Sequence, residues 1–442
     1  MPDTQLALPL TNSAHPFRIE HPDDAIVKIS LAGLCGSDLH TYRGLEGVQQ
    51  DHICGHEFIG NVIALGSSFN PSSPLTRPAL YGTLKLGDKV VSPFSVSCGE
   101  CSTCRHGFTA RCTTSLLFGS PLLPGAQAQY IRVPKAGGTL FVLPSSTPSP
   151  SVLPELQLLT ALPDATLLLL SDILPTGLFV TLQALTHPNV SPVLTGIAWP
   201  GTANGLLSPT AQTNILPATD EDQILTVAII GLGPVGLCAT LALLDLLENR
   251  TPPTRFRILA IDPNEARRIK MQDIYDALPS SCKGAQGSTF TVCSNIDIPT
   301  WANHGCHAVL EVISSRIRLS SPISISPSSI PQIVGVPSAL SFSLSLLTSS
   351  GVISSCGVHQ APPVPFTGRE LYGLNATLAF GRCSVRAVFG AAAGLLARRR
   401  DVLGVIGTHG VVERVCPLSD AVRAYNLFEK GEWGKVVFDP WA

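Results

Sequence analysis

The sequence predicts an α/β protein of two domains, a β-rich first domain followed by a doubly wound parallel sheet. Its 442 residues exceed what one hydrophobic core serves, since single cores stop growing at roughly 250 to 300 residues. From Ala25 to about Val142 short β-branched runs alternate with glycine and proline turns, which is the pattern of a β-rich fold. Further on, the strand-like Thr226–Ile230 runs into Gly231-Leu232-Gly233-Pro234-Val235-Gly236. Helical Leu237–Leu247 follows, and then a second strand, Arg257–Ile261, ends at Asp262. A lone Gly-x-Gly-x-x-Gly is weak evidence. With a strand before it, a helix after it and an acid at the next strand's end, it reads as a dinucleotide cradle in a βαβ unit.

Taken in order, Ala25–Ser30 is a strand that delivers the chain into Leu34-Cys35-Gly36-Ser37-Asp38-Leu39-His40. Phe58–Gly66 is a second strand with glycine punctuation, Asn70–Pro78 is a Pro/Ser-rich insert, and Gly87–Val91 turns into a third strand. Pro144–Pro154 is rich in Ser, Thr and Pro and reads as an exposed connection. The apolar Thr166–Leu170 leads into Ser171-Asp172-Ile173-Leu174-Pro175-Thr176-Gly177, and Asn189–Asp222 reads as an insertion or linker. After the βαβ unit, Ala308–Val312 and Gly351–Ser355 are further strands, and Ser314–Pro331 is an inserted loop between them. No internal repeat is evident. The chain closes with Gly381-Arg382-Cys383, a strand and capped helix around Pro417–Ala421, and a last strand at Lys435–Phe438.

Cys98, Cys101, Cys104 and Cys112 form the most specific signal. Four thiolates at this spacing can close a tetrahedron around Zn²⁺, and an all-sulfur closed site is the structural kind. The competing reading, four unrelated loop thiols, would leave a dense and oxidation-prone cluster. Cys35 alone would be a buried small hydrophobe. Its company changes the reading: Gly55-His56-Glu57 offers an imidazole and a carboxylate, Asp172 a further oxygen ligand, and the glycine turn a hydride acceptor's cradle. Together they describe a metal-assisted hydride-transfer site. Asp172 stands among aliphatic residues, where an unpaired carboxylate is costly. Spacing leaves two readings open for it, a ligand or a helix cap.

Composition excludes several classes. The formal net charge is −2 and the basic residues form no long run beyond Arg398-Arg399-Arg400, read as a solvated helix end, so no nucleic-acid footprint is expected. Thirteen cysteines are an odd number in a large chain, and Met1-Pro2-Asp3-Thr4-Gln5 lacks a signal peptide's layout, so a reducing cytoplasm is expected. Ile224–Leu244 carries no charge over a bilayer-spanning length, but the glycine turn inside it argues for a buried strand and helix and against a membrane segment.

These motifs together resemble the zinc-containing medium-chain alcohol dehydrogenase family over nearly the whole chain. Gly55-His56-Glu57-Phe58-Ile59-Gly60 followed by Gly66 is similar to the family's zinc signature, and Cys35–His40 to its first metal-ligand loop; the four-cysteine lobe and Gly231–Gly236 match as well. Within the family, Ser171–Gly177 looks most like the branch of glutathione-independent formaldehyde dehydrogenases, where the third zinc ligand is an aspartate. The resemblance implies a GroES-like catalytic domain over residues 1–185, a Rossmann NAD-binding domain over 186–372, and a return to the catalytic domain over 373–442.

It also implies a catalytic zinc on Cys35, His56 and Asp172, with one open position for the substrate oxygen. Glu57 would sit beside the metal as an alternate ligand or supporting group, Asp38 would orient His56, and Ser37 with His40 would relay the alcohol proton. Thr176, Gly231, Gly233, Pro234, Val235 and Gly236 would hold the cofactor. Asp262 would bind the ribose hydroxyls and favour NAD over NADP, and Arg267 would either flank that ribose or be a solvated helix arginine. Two zinc ions per chain, an alcohol or aldehyde substrate and a homo-oligomer follow from the same resemblance. The sequence departs from the family in lacking a clear first strand, in inserts at 70–78, 145–153, 190–220 and 316–334, and in a short helix near Trp301. Two other functions stay open: a redox-neutral enzyme with retained NAD, and a binding or scaffold relative without catalysis.

Overall fold

The computed structural model describes residues 18–44, 51–74, 76–145, 153–201, 216–313, 336–358 and 364–442. The amino-terminal departure, most of the 145–153 connection, part of the 190–220 insert and all of Ser314–Pro331 lie outside these residues. Thirteen strands are described. In chain order they are β1 (Ala25–Leu34), β2 (Phe58–Leu65), β3 (Lys89–Ser92), β4 (Tyr130–Val133), β5 (Phe141–Val142), β6 (Leu225–Ile230), β7 (Phe256–Ile261), β8 (Thr289–Cys293), β9 (Cys306–Glu311), β10 (Leu347–Ser355), β11 (Thr377–Phe380), β12 (Val412–Pro417) and β13 (Lys435–Asp439).

The chain forms two compact units, 1–175 with 383–442 and 176–382. From sequence the divisions are placed at 185/186 and 372/373. The first observed division falls inside the continuous helix Ile173–Leu185, because one helix begins in one core and ends in another.

The first unit holds a seven-stranded sheet in the order β12-β13-β1-β2-β3-β5, with β4 also paired to β1. β1 is its hub, pairing antiparallel with β13, β2 and β4. Its alternate residues Ala25, Val27 and Ile29 enter a core with Phe58, Val62, Phe118 and Ile131. Each of the larger of these side chains, the valines, isoleucines and phenylalanines, contributes roughly 1.5 to 3 kcal/mol on full burial. The sheet brings the end of β1, the start of β2 and the start of β13 together: Ala32 pairs with Phe58 and Leu34 with Val436. Cys35, His56 and Lys435 therefore converge although they are far apart in sequence.

The second unit is a six-stranded, all-parallel sheet in the order β11-β10-β9-β6-β7-β8. The uncharged Ile224–Leu244 stretch divides into buried β6 and the helix Pro234–Glu248. Among the described residues no single helix is long and apolar enough to cross a membrane.

Two local expectations are corrected. Helix Ala421–Glu429 follows Asp420, but Asp420 makes no side-chain cap bond, its backbone lying at φ −85°, ψ 4° outside the extended conformation of a capping residue. In Arg398-Arg399-Arg400 only the outer two arginines are exposed; Arg399 is buried as the helix Val385–Arg398 ends and Arg400–Leu403 begins. The segment near Trp301 is a single 3-10 turn, Thr300–His304.

Candidate active site

Four side chains of the first unit, Cys35, His56, Glu57 and Asp172, are all buried and offer ligand atoms within 4.8 Å of one another. Cys35 lies just past the end of β1, and His56 and Glu57 just before β2. Asp172 stands between the 3-10 turn Leu168–Ser171 and the helix Ile173–Leu185, so a position suited to a cap also presents a donor to the cluster. Its Oδ2 is 3.4 Å from Cys35 Sγ and 3.3 Å from His56 Nε2. Tetrahedral coordination with bonds of about 2.0 to 2.3 Å sets neighbouring donors about 3.3 to 3.8 Å apart. The donor set and its spacing therefore fit a zinc ion.

The surrounding groups fix these donors. Asp38 Oδ1 is 3.1 Å from His56 Nδ1, and its Oδ2 accepts the Cys35 backbone N–H at 2.9 Å. One carboxylate thus orients two of the four donors, the usual device for setting an imidazole's tautomer. Burial pulls the His56 pKa down, but Asp38 and Asp172 outweigh it and raise it well above the ordinary value. Burial, with Asp172 beside it, pushes the Cys35 thiol up to about 11. A thiolate among buried carboxylates needs a nearby cation, and a divalent metal supplies one. Ser37 Oγ is 3.9 Å from Cys35 Sγ, and His40 is buried on the short helix Asp38–Tyr42.

Sequence reasoning missed Lys435. This residue opens β13 fully buried, and its ammonium donates to both oxygens of Glu57 and to Leu34 O at 3.0 Å. Burial pushes the Glu57 carboxyl up, while the attraction of Lys435 pulls it down. The available signal was a lysine at the start of an apolar strand, which demands a buried anion. Gly33 is required here, because a Cβ would lie 2.1 Å from Glu57 Oε2.

The cysteines of the lobe also converge. Cys112 Sγ lies 3.5 Å from Cys98 Sγ and 4.0 Å from Cys101 Sγ, and all four ligand atoms fall within 4.8 Å of one another. A tetrathiolate zinc site has edges of about 3.8 Å. Backbone N–H groups of Glu100 and Cys101 donate to Cys98 Sγ at 3.3 and 3.2 Å, the kind of bond that stabilises thiolate.

In the second unit, Gly231 takes φ +97°, and a Cβ on Gly236 would lie 1.8 Å from Gly231 O. The tight turn therefore needs both glycines, and it presents the amino terminus of helix Pro234–Glu248, a ready anion site. Asp262 is buried, accepting from Leu232 N and Asn264 N at 2.8 Å each. Arg267 reaches to 3.6 Å from Asp262 Oδ2, so it is tied to the strand end and partly offsets that carboxylate's charge. Thr176 is buried at the start of the unit and Val235 lies on the first turn of the helix.

Residues 21–145 match the alcohol dehydrogenase GroES-like domain family. The chain is 30% identical over 421 residues to zinc-type alcohol dehydrogenase B of Aspergillus flavus, covering 95% of this chain and 76% of that protein. It is also 30% identical over 188 residues to a glutathione-independent formaldehyde dehydrogenase of Pseudomonas aeruginosa, covering 40% of this chain and 41% of the other. Among solved structures, the alcohol dehydrogenase TADH from Thermus sp. ATN1 superposes with a TM-score of 0.65 at 26% identity, covering 97% of both chains. With the donor set and the glycine turn in place, these likenesses show that the chain belongs to the zinc-containing medium-chain alcohol dehydrogenase family.

Proposed function

We propose that Cys35, His56 and Asp172 hold the catalytic zinc of an NAD-dependent alcohol or aldehyde oxidoreductase, with a second zinc bracing the Cys98, Cys101, Cys104 and Cys112 lobe. Membership of the family makes the chain a zinc- and nicotinamide-dependent oxidoreductase of small alcohols or aldehydes. What we add is the assignment of its residues and of NAD as the preferred cofactor. The observation that carries the reading is the 3.3 to 3.4 Å spacing of Asp172 Oδ2 from His56 Nε2 and Cys35 Sγ in a buried site.

When bound there, zinc supplies Lewis acidity toward a substrate oxygen, and the nicotinamide supplies a hydride acceptor. The protein's own part is to bind, orient and move a proton. Asp38 holds the His56 ring so that Nε2 faces the site. Ser37 Oγ takes the hydroxyl proton of an alcohol as it releases its own, and His40 carries that released proton onward toward solvent. Burial of Cys35, His56 and Asp172 excludes water, which strengthens every charge interaction within the site. The turn from Gly231 to Gly236 would hold the cofactor pyrophosphate, and Asp262 would take the ribose hydroxyls. The thirteen cysteines are thiols and not disulfides, which supports a reducing compartment such as the cytoplasm. Association into a homo-oligomer is proposed from the family alone.

The test is Asp172→Ala with zinc analysis and a screen of alcohols and aldehydes, formaldehyde included, for change in NADH absorbance. Parent protein should carry two zinc ions and turn over. The variant should keep one zinc and NAD binding while losing turnover by at least about 100-fold. A variant that retains two zinc ions and full turnover would overturn the assignment of Asp172.

A further inference from the structure

Gln127 lies between the loops that carry Cys35 and His56, and it bonds to both. Its backbone N–H donates to Cys54 O at 2.9 Å, and the neighbouring Ala126 N–H donates to Gly55 O at 2.8 Å, so this pairing ends one residue before His56. Its side-chain Nε2 donates to Gly33 O at 3.4 Å, two residues before Cys35. Its Oε1 accepts from Tyr425 OH at 3.0 Å, a phenol brought by the helix Ala421–Glu429 from 298 positions away in the chain. Gln127 is 2% exposed and Tyr425 1% exposed, so water does not substitute for any of these bonds.

The partners dictate the residue type. Gly33 O can only accept and the phenol here donates, so the side chain between them must carry one donor and one acceptor, which an amide does. A glutamate would aim charge at a buried carbonyl, and an apolar side chain would leave two polar atoms unsatisfied. Approach is close as well. Gly55 takes φ +91°, and a Cβ there would lie 2.6 Å from Gln127 Cγ, so the His56 loop is threaded against this amide. Gly33 N donates in turn to Glu57 O at 2.9 Å. Gly33 is therefore held at its N–H by Glu57 and at its C=O by Gln127.

We infer that Gln127, pinned by Tyr425, is a positioning residue that sets the spacing between the Cys35 and His56 metal ligands. The inference rests on the reading of Cys35, His56 and Asp172 as a metal site. Groups behind the ligands that hold their geometry are worth about 10- to 100-fold in metal affinity, and a metal site functions only when its ligands are held within about 0.5 Å of the required geometry.

The experiment replaces zinc with cobalt(II) in the parent, Cys35→Ser, Gln127→Met and Gln127→Met/Tyr425→Phe proteins. It records the thiolate-to-cobalt and d–d bands, the cobalt affinity of each site and the melting temperature. The parent minus Cys35→Ser difference isolates the Cys35 site from the four-cysteine lobe. Gln127→Met should weaken cobalt binding at the Cys35 site about 10- to 100-fold and shift its d–d bands, with the lobe spectrum unchanged. The double variant removes the stranded phenol and should recover most of the lost melting temperature without recovering affinity or spectrum, a split that a merely structural role would not give. Parental affinity and bands in Gln127→Met, or recovery of affinity together with melting temperature in the double variant, would overturn the inference. A parent protein with no Cys35-dependent cobalt band would instead overturn the metal-site reading, and the inference with it.

Discussion

Replacing Lys435 by methionine tests whether the ion pair behind the site is as consequential as its burial implies. Side-chain exposure is 1% for Lys435 and 0% for Glu57. The methionine side chain would keep most of the buried volume while stranding the Glu57 carboxylate, and breaking a fully buried pair costs about 3 to 5 kcal/mol. The loss of the bond to Leu34 O adds about 1 kcal/mol. In a unit of roughly 235 residues, each kcal/mol moves the melting temperature by about 2 to 4 °C, so a fall on the order of 10 °C is expected. The pH dependence carries a sign. Without Lys435 the Glu57 carboxyl keeps the upward push of burial and of Asp172, opposed only by the pull of His56. A carboxyl whose folded pKa stands above its unfolded value favours the fold at low pH and burdens it as pH rises through about 4.5 and beyond. The deficit of Lys435→Met should therefore be small at about pH 4 to 5 and grow toward neutral pH. Lys435→Met/Glu57→Gln should recover much of the loss, since no charge is then buried alone. Calorimetry across this pH range decides. A variant melting within about 2 °C of the parent at neutral pH, with no pH trend, would show that Glu57 finds another partner and that Lys435 is incidental.

Three further outcomes are expected. Cys101→Ser should lose the lobe zinc and thermal stability, with catalysis changed only indirectly; elemental analysis showing two zinc ions in that variant would remove the lobe assignment. Asp262→Ser should move the cofactor preference toward NADP by at least about tenfold in kcat/KM, read from initial rates with both cofactors, and no movement would mean that Asp262 does not face the ribose. Acid should weaken the first unit through Asp23. Burial would raise that carboxyl, but hydrogen bonds from Lys135, Ser68 and Arg77 hold it at about 2. A depressed folded pKa contributes stability that is present above about pH 4 and lost as pH falls toward about 2. It amounts to about 1 kcal/mol after solvent screening, and Asp23→Asn should flatten the acid limb of the melting curve.

The parts of the fold legible in sequence are those whose signals are local. The strand, glycine turn and helix at β6 announce themselves because a tight turn needs glycine where φ is +97° and where a Cβ would strike backbone. The convergence of the four cysteines is legible because they fall within fifteen residues. The domain division is less so. The helix Ile173–Leu185 is apolar almost throughout, and a buried helix carries no mark where it passes from one core to the next. β11 escapes a reading of the sequence because four residues at a sheet edge, most of them half-buried, have neither the length nor the alternation of a strand signal. The burial of Arg399 escapes it too, because a basic triplet gives no sign of which member turns inward when the helix breaks.

For the site the division is sharper, since it follows the difference between the clustered donor side chains and what holds them. Cys35, His56 and Asp172 belong to motifs whose residue types carry their chemistry, so a resemblance could place them. Lys435 and Gln127 belong to no motif. Lys435 lies 378 positions from Glu57, and Gln127 meets Gly33 and Tyr425 at separations of 94 and 298. Their role exists only because β1 pairs with both β2 and β13, which brings three distant loops to one end of the sheet. A buried lysine and a buried amide still leave a trace that sequence reading can use. Each is too costly to sit among apolar neighbours without a partner, so a lone polar residue in an apolar strand or turn is a question about which distant group completes it. In this protein the answer in both cases is a loop that carries one of the clustered donors Cys35, His56 and Glu57.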